Sequence, residues 1–128
     1  MRLVFKDFPL PSHAQAPLAH AAGRCAAGAG QFWPYHDRLF SVQPAFEREE
    51  LIRYALDLSL DAATFTSCLD GADARRGVDA DVAEGRAIGI RGTPSFLING
   101  SLVVGAVPIE QFREAIDEAL RRRSPPRP

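Results

Sequence analysis

The chain has 128 residues, 46% of them hydrophobic and 24% charged, with a formal net charge of -1. This length fits one domain whose core needs no metal or covalent staple. The near-neutral charge gives no bulk attraction to nucleic acid or to an anionic membrane surface, and no apolar run approaches the roughly 20 residues of a membrane span.

Leu3, Phe5 and Phe8, set among Val4, Lys6 and Asp7, predict a strand over residues 2–8. The run lacks the long apolar core and small-residue cleavage site of a secretory leader, so no export signal is read and the localisation stays open. Pro9 and Pro11 end the strand, because two prolines cannot both fit in a ladder. Ser12 is the expected cap of a first helix carrying Ala14, Leu18, Ala21, Ala22 and Cys25. Pro17 is tolerated near its start, and Gly28 and Gly30 end it. Phe32, Tyr35, His36, Leu39 and Phe40 trace a second helix, and Pro44 breaks the chain after it. Its aromatic run (Phe32, Trp33, Tyr35, with Phe40) reads as core of the helical block, with a peptide-binding groove as the alternative. Leu51, Tyr54, Ala55 and Leu58 mark a third helix, with Glu47, Glu49 and Glu50 at the end where the macrodipole favours acidic groups. Asp61 caps a fourth helix bearing Phe65, Cys68 and Leu69, which Gly71 ends. Val78, Val82 and Ile88 mark a fifth. Gly77 and Gly85 within it cost roughly 1 kcal/mol each against alanine, which points to close packing.

Phe96-Leu97-Ile98 and Leu102-Val103-Val104, joined through Asn99-Gly100, predict a hairpin with a primed turn. Pro94 opens the first of these strands, where a proline does not break a ladder. Pro108 fits the first position of a last helix, whose apolar stripe is Ile109, Phe112, Ile116 and Leu120. Arg121, Arg122 and Arg123 suit its negative end, with a solvated helix end as their expected state. Residues 122–128 read as a disordered tail.

His13, His20 and His36 form no compact ligand set with the cysteines. No metal and no cofactor are expected. The two cysteines, Cys25 and Cys68, make no C-x-x-C pair.

Three segments taken together carry a resemblance: Val4-Phe5-Lys6-Asp7-Phe8-Pro9-Leu10, then Gln31-Phe32-Trp33-Pro34-Tyr35-His36-Asp37-Arg38-Leu39-Phe40, then Gly89-Ile90-Arg91-Gly92-Thr93-Pro94-Ser95-Phe96-Leu97-Ile98-Asn99-Gly100. With Val104-Gly105-Ala106, Pro108, Phe112 and Ile116 after them, the chain resembles the DsbA-type thiol–disulfide oxidoreductases of the thioredoxin superfamily over about residues 2–120. The resemblance implies an α/β fold: a thioredoxin-like sheet in one domain over 1–121, with 12–89 as a helical insertion. It implies that Pro94 matches the family's cis-proline, and that Gly92, Thr93 and Pro94 form the loop that holds a substrate polypeptide by its backbone. A structural disulfide between Cys25 and Cys68 is attractive in the same light. Two buried free thiols and a redox-active pair remain as alternatives. The family usually works in the periplasm or elsewhere outside the cytoplasm.

One departure from the pattern shapes the expected function. The family opens with a strand, a C-x-x-C and a helix, and this sequence begins at the strand after them. The expectation is therefore an incomplete, truncated form of the domain, without its N-terminal βα unit, with no catalytic residue and inactive alone in disulfide exchange. The alternative is a non-catalytic binding or assembly module that keeps the proline-loop surface. The absent strand would lie between residues 2–8 and 96–98, leaving two apolar strand edges. A homodimer through those edges is the expected association, and a polypeptide the expected substrate.

Overall fold

Small residues line one face of the first helix, and the helical part of the molecule assembles around it. The computed structural model describes residues 1–123. Helix α1 spans Ala16–Gly28, α2 Phe32–Ser41, α3 Arg48–Asp57, α4 Ala62–Asp70 and α5 Asp73–Ala87. Strands β1 (Ser95–Ile98) and β2 (Ser101–Val104) follow, then helix α6 (Ile109–Arg123). The chain divides into two compact units at Ile88–Gly89.

In the first unit Ala19, Ala21, Ala22, Cys25 and Ala26 of α1 are buried together with Tyr35, Leu51, Tyr54, Ala55, Phe65, Leu69 and Ala74. Alanines let the neighbouring helices approach closely, so the larger residues of α2, α3 and α4 fill the space around α1. The two core tyrosines keep their hydroxyls satisfied: Tyr35 donates to the Leu51 carbonyl at 2.8 Å and Tyr54 to the Ala45 carbonyl at 2.9 Å. Burial pushes the Tyr35 phenol up, with the nearby Tyr54 adding to the effect.

The five helices of the block lie where the apolar spacing puts them, with three local differences. The first helix starts at Ala16 with Gln15, not Ser12, at the cap; Pro17 must sit in the first turn, and that fixes the start. In α2 only Tyr35 is core. Trp33 is 43% and Phe40 62% exposed, so the aromatic run is split between core and surface. The helix turns Tyr35 inward, while Phe32, His36 and Phe40 share a different stripe. In α5, Ala74 and Val78 are buried, but Ile88 is exposed. Gly77 does mark close packing, since a Cβ there would collide with the Arg24 guanidinium.

Residues 2–8 form no strand among the described residues. A strand needs a ladder partner, and the one sheet described contains β1 and β2 only. The Asp7 amide is spent instead on the Asp81 carboxylate at 3.0 Å.

In the second unit β1 and β2 pair antiparallel, Ile98 opposite Ser101 and Ser95 opposite Val104. Asn99 and Gly100 both have positive φ, 47° and 89°, which is the primed turn whose twist matches its strands. Helix α6 lies against β1 through an edge-to-face contact of Phe112 with Phe96, centroids 4.6 Å apart. Pro108 directly precedes the helix, and its carbonyl accepts from the Gln111 amide at 3.0 Å. The helix continues to Arg123, past the boundary at 121; Ser124–Pro128, the rest of the expected tail, lie outside the described residues. Arg121 and Arg122 both bond Glu118.

Candidate functional site

The loop Gly92-Thr93-Pro94 leads straight into β1. The Thr93–Pro94 peptide is cis, as is Gln43–Pro44 in the helical unit. Thr93 and Pro94 are exposed. Two hydrogen bonds fix the loop from inside: the Gly105 amide donates to the Pro94 carbonyl at 2.8 Å, and the Ser95 hydroxyl donates to the Gly92 carbonyl at 2.7 Å.

The strand register then decides which backbone groups face outward. In a two-residue hairpin the closing pair, Ile98 and Ser101, exchanges hydrogen bonds, and bonded pairs alternate from there. Phe96 with Val103 is bonded, and the Gly105-to-Pro94 bond continues the same series. Ser95 and Leu97 therefore turn their N–H and C=O groups away from β2, on the side where no strand is described. The donor that Pro94 lacks falls on the β2 side, so the open edge loses nothing to the proline. No Asp, Glu, Lys, Arg or His lies in residues 92–98. The loop's polar side-chain groups are the Thr93 and Ser95 hydroxyls alone, and the Ser95 hydroxyl is bonded within the loop.

The two cysteines lie in the other unit. Cys25 of α1 and Cys68 of α4 form a disulfide with S–S 2.01 Å and Cα–Cα 5.8 Å. Oxidised sulfur cannot act as the attacking thiolate of an exchange reaction. There is no free cysteine among the described residues.

Two further features of the helical unit stand out. Asp7 is only 4% exposed. His20 Nδ1 lies 2.8 Å from its Oδ1, and Arg24 donates to its Oδ2 at 2.8 Å. Arg24 also reaches Asp81 at 3.3 Å, and Lys6 contacts Asp81 and Glu84 at 3.3 and 2.9 Å. Burial alone would push the Asp7 carboxyl up; hydrogen bonds and charge from His20 and Arg24 outweigh it and hold the group below the usual carboxylate range. The members of this cluster are scattered along the chain from position 6 to 84, so no sequence motif marks it. The second feature is an open groove of about 400 Å³ lined by Leu3, Val4, Phe5, Phe32 and Trp33 among others. Phe5 contacts Phe32 and His36 with centroids 5.2 and 5.4 Å away. No group of His, Cys, Asp and Glu able to hold a metal ion occurs among the described residues.

Residues 4–117 match the family described as DSBA-like thioredoxin domain. Among solved structures, the crystal structure of a thioredoxin-like oxidoreductase from Silicibacter pomeroyi DSS-3 matches with a TM-score of 0.81 and 24% identity, over 93% of this chain and 68% of that one. At that identity the likeness shows the fold. Among curated proteins, the chain is 39% identical over 113 residues to a Na(+)/H(+) antiporter NhaA of Herminiimonas arsenicoxydans, over 88% of this chain and 18% of the relative. It is 32% identical over 121 residues to a Na(+)/H(+) antiporter NhaA 3 of Salinispora tropica, over 94% of this chain and 19% of the relative. The chain thus spans about a fifth of the length of these curated relatives.

Proposed function

The chain belongs to the DSBA-like thioredoxin domain family, and from that premise we propose that residues 1–128 act as a polypeptide-binding thioredoxin-like domain that does not by itself turn over disulfides. The observation that carries the reading is the unpaired β1 backbone at Ser95 and Leu97, beside the cis Thr93–Pro94 peptide and with no further strand among the described residues, together with two cysteines committed to one disulfide. An extended polypeptide laid along that edge would exchange hydrogen bonds with Thr93, Ser95 and Leu97, which gives affinity with little sequence preference. A disulfide between α1 and α4 fits the oxidising, extracytoplasmic setting in which the family is commonly found.

Two measurements test this reading. On titration with a reduced, unfolded polypeptide, the amide resonances of Thr93, Ser95 and Leu97 should shift; no change there at saturating polypeptide would sink the binding role. In an insulin-reduction assay this polypeptide should give no rate above the thiol reductant alone. Turnover that disappears on Cys25→Ser would instead make it an exchange catalyst.

A second reading is favoured by the relatives. Those proteins are named as Na+/H+ antiporters, and this chain matches under a fifth of each. No described helix is long and apolar enough to cross a membrane. On this reading the chain supplies a thioredoxin-like accessory domain beside a transporter, and ion translocation lies in other residues. Vesicles from cells expressing residues 1–128 alone should then show no Na+-driven proton movement above the control, and measurable exchange would refute the assignment.

A further inference from the structure

We propose that Asn99 is a self-modification site, where the Gly100 nitrogen attacks the neighbouring side-chain amide and the resulting ring opens to aspartate or isoaspartate, the second of which disrupts the hairpin turn. Neither the chemistry nor its consequence rests on the polypeptide-binding reading.

Asn99 is the single asparagine of the chain. The primed turn that favours Asn-Gly also presents the reacting pair to solvent, and both residues are exposed. The closing pair of the hairpin, Ile98 and Ser101, takes the ladder bonds, which leaves the Gly100 N–H outside them. The Asn99 side chain makes no hydrogen bond among the described residues. Beyond the chain neighbours, no atom lies within 4 Å of where a Gly100 Cβ would stand, so nothing shields the nitrogen. The pair must leave its φ of 47° and 89° to react, and an exposed turn on a two-stranded sheet opens at little cost.

The step needs only water and solvent base. The Gly100 nitrogen gives up its proton and bonds to Asn99 Cγ, and the side-chain nitrogen leaves as ammonia. Water then opens the five-membered ring at either carbonyl. Release from Cγ gives aspartate in ordinary linkage. Release from the main-chain carbon gives isoaspartate, whose main chain runs through Cγ and is longer by a methylene. Asp-Gly still suits the primed turn, whereas the lengthened chain no longer closes a two-residue loop. The Gly105-to-Pro94 bond that fixes the candidate loop belongs to the same ladder series, so the chemical state of Asn99 bears on that loop.

Asp70-Gly71 offers the same connectivity, and the structure closes it off. Arg48 donates to both Asp70 carboxylate oxygens, at 2.9 and 2.6 Å. Those bonds hold the carboxyl below its ordinary range and so in the ionised form that resists attack. The Gly71 N–H is engaged by the Ser67 and Cys68 carbonyls at 3.1 and 3.2 Å.

The test is peptide mapping of the full chain held at mildly alkaline pH, folded and in urea. Acid in place of amide at residue 99, with isoaspartate in the same peptide, should accumulate in the folded chain within about tenfold of the urea rate. Isoaspartate at Asp70 should form in urea only. Gly100→Ala, compared in urea where turn strain plays no part, should slow the conversion at least about tenfold, because a Cβ crowds the attacking nitrogen. Hydrogen exchange at Phe96, Ile98, Ser101 and Val103 should quicken at least about tenfold in the isoaspartate fraction and stay unchanged in Asn99→Asp. An Asn99 left intact in the folded chain after the urea sample has converted, isoaspartate at Asp70 ahead of residue 99, conversion indifferent to Gly100→Ala, or an isoaspartate fraction that exchanges like the unmodified chain would each overturn the proposal.

Discussion

Asp7 shows at the residue scale how burial and charge compete. Its carboxylate is almost fully removed from water, which by itself is costly; His20 and Arg24 more than compensate. The consequence for pH has a definite sign. A carboxyl whose folded-state pKa is depressed contributes stability above its unfolded value, near 3.9, and that contribution is lost as pH falls through the lower folded value. Asp7→Asn should therefore lower the urea midpoint at pH 7, by about 1–3 kcal/mol in stability because Arg24 keeps partial access to water. The gap between variant and wild type should close as the pH is taken below 4. A gap independent of pH would show that Asp7 acts through packing alone. None of this was visible along the sequence. Asp7 looked like one charge in a strand, and the partners that bury it come from α1 and α5. For Pro94 the sequence reading and the structure agree on place. What the sequence could not show is that the missing N–H lies on the paired side of β1.

At the scale of elements, helix α1 joins the largest number of threads. Its alanine face allows close packing, and its Cys25 is tied to Cys68 of α4 across a sequence separation of 43. In the chain-entropy account, closing that loop contributes on the order of 4 kcal/mol, and often less in practice. Replacing both cysteines by alanine should lower the denaturant midpoint by up to that amount. Thiol titration of the denatured wild-type chain should find no free thiol, and two reactive thiols per chain would remove the bond from the account. The five helices and the hairpin are legible because each rests on local information: apolar spacing, Asp61 at a cap, Asn99-Gly100 at a turn. The N-terminal strand was not, because a strand is defined by its partner. Residues 2–8 have the composition of a strand, but among the described residues no neighbour completes a ladder.

The whole molecule is unevenly endowed. The unit Met1–Ile88 holds every fully buried apolar side chain described and the disulfide. The unit beginning at Gly89 holds the candidate loop and no fully buried residue among those described. A polypeptide of residues 1–88 should therefore unfold cooperatively with a sigmoidal denaturant curve, while a peptide of residues 89–123 should give the circular dichroism of a largely unstructured chain. A stably folded 89–123 peptide would show that the hairpin and α6 form a sufficient core of their own. The sequence by itself determined the order and type of nearly all elements, the turn of the hairpin and the family, since these follow from patterns of neighbours along the chain. Only the tertiary structure decided that Cys25 and Cys68 are joined, that Trp33 and Phe40 lie at the surface, and that Asp7 is the buried charge. Each of those depends on which distant residue arrives alongside, and neither periodicity nor spacing carries that information.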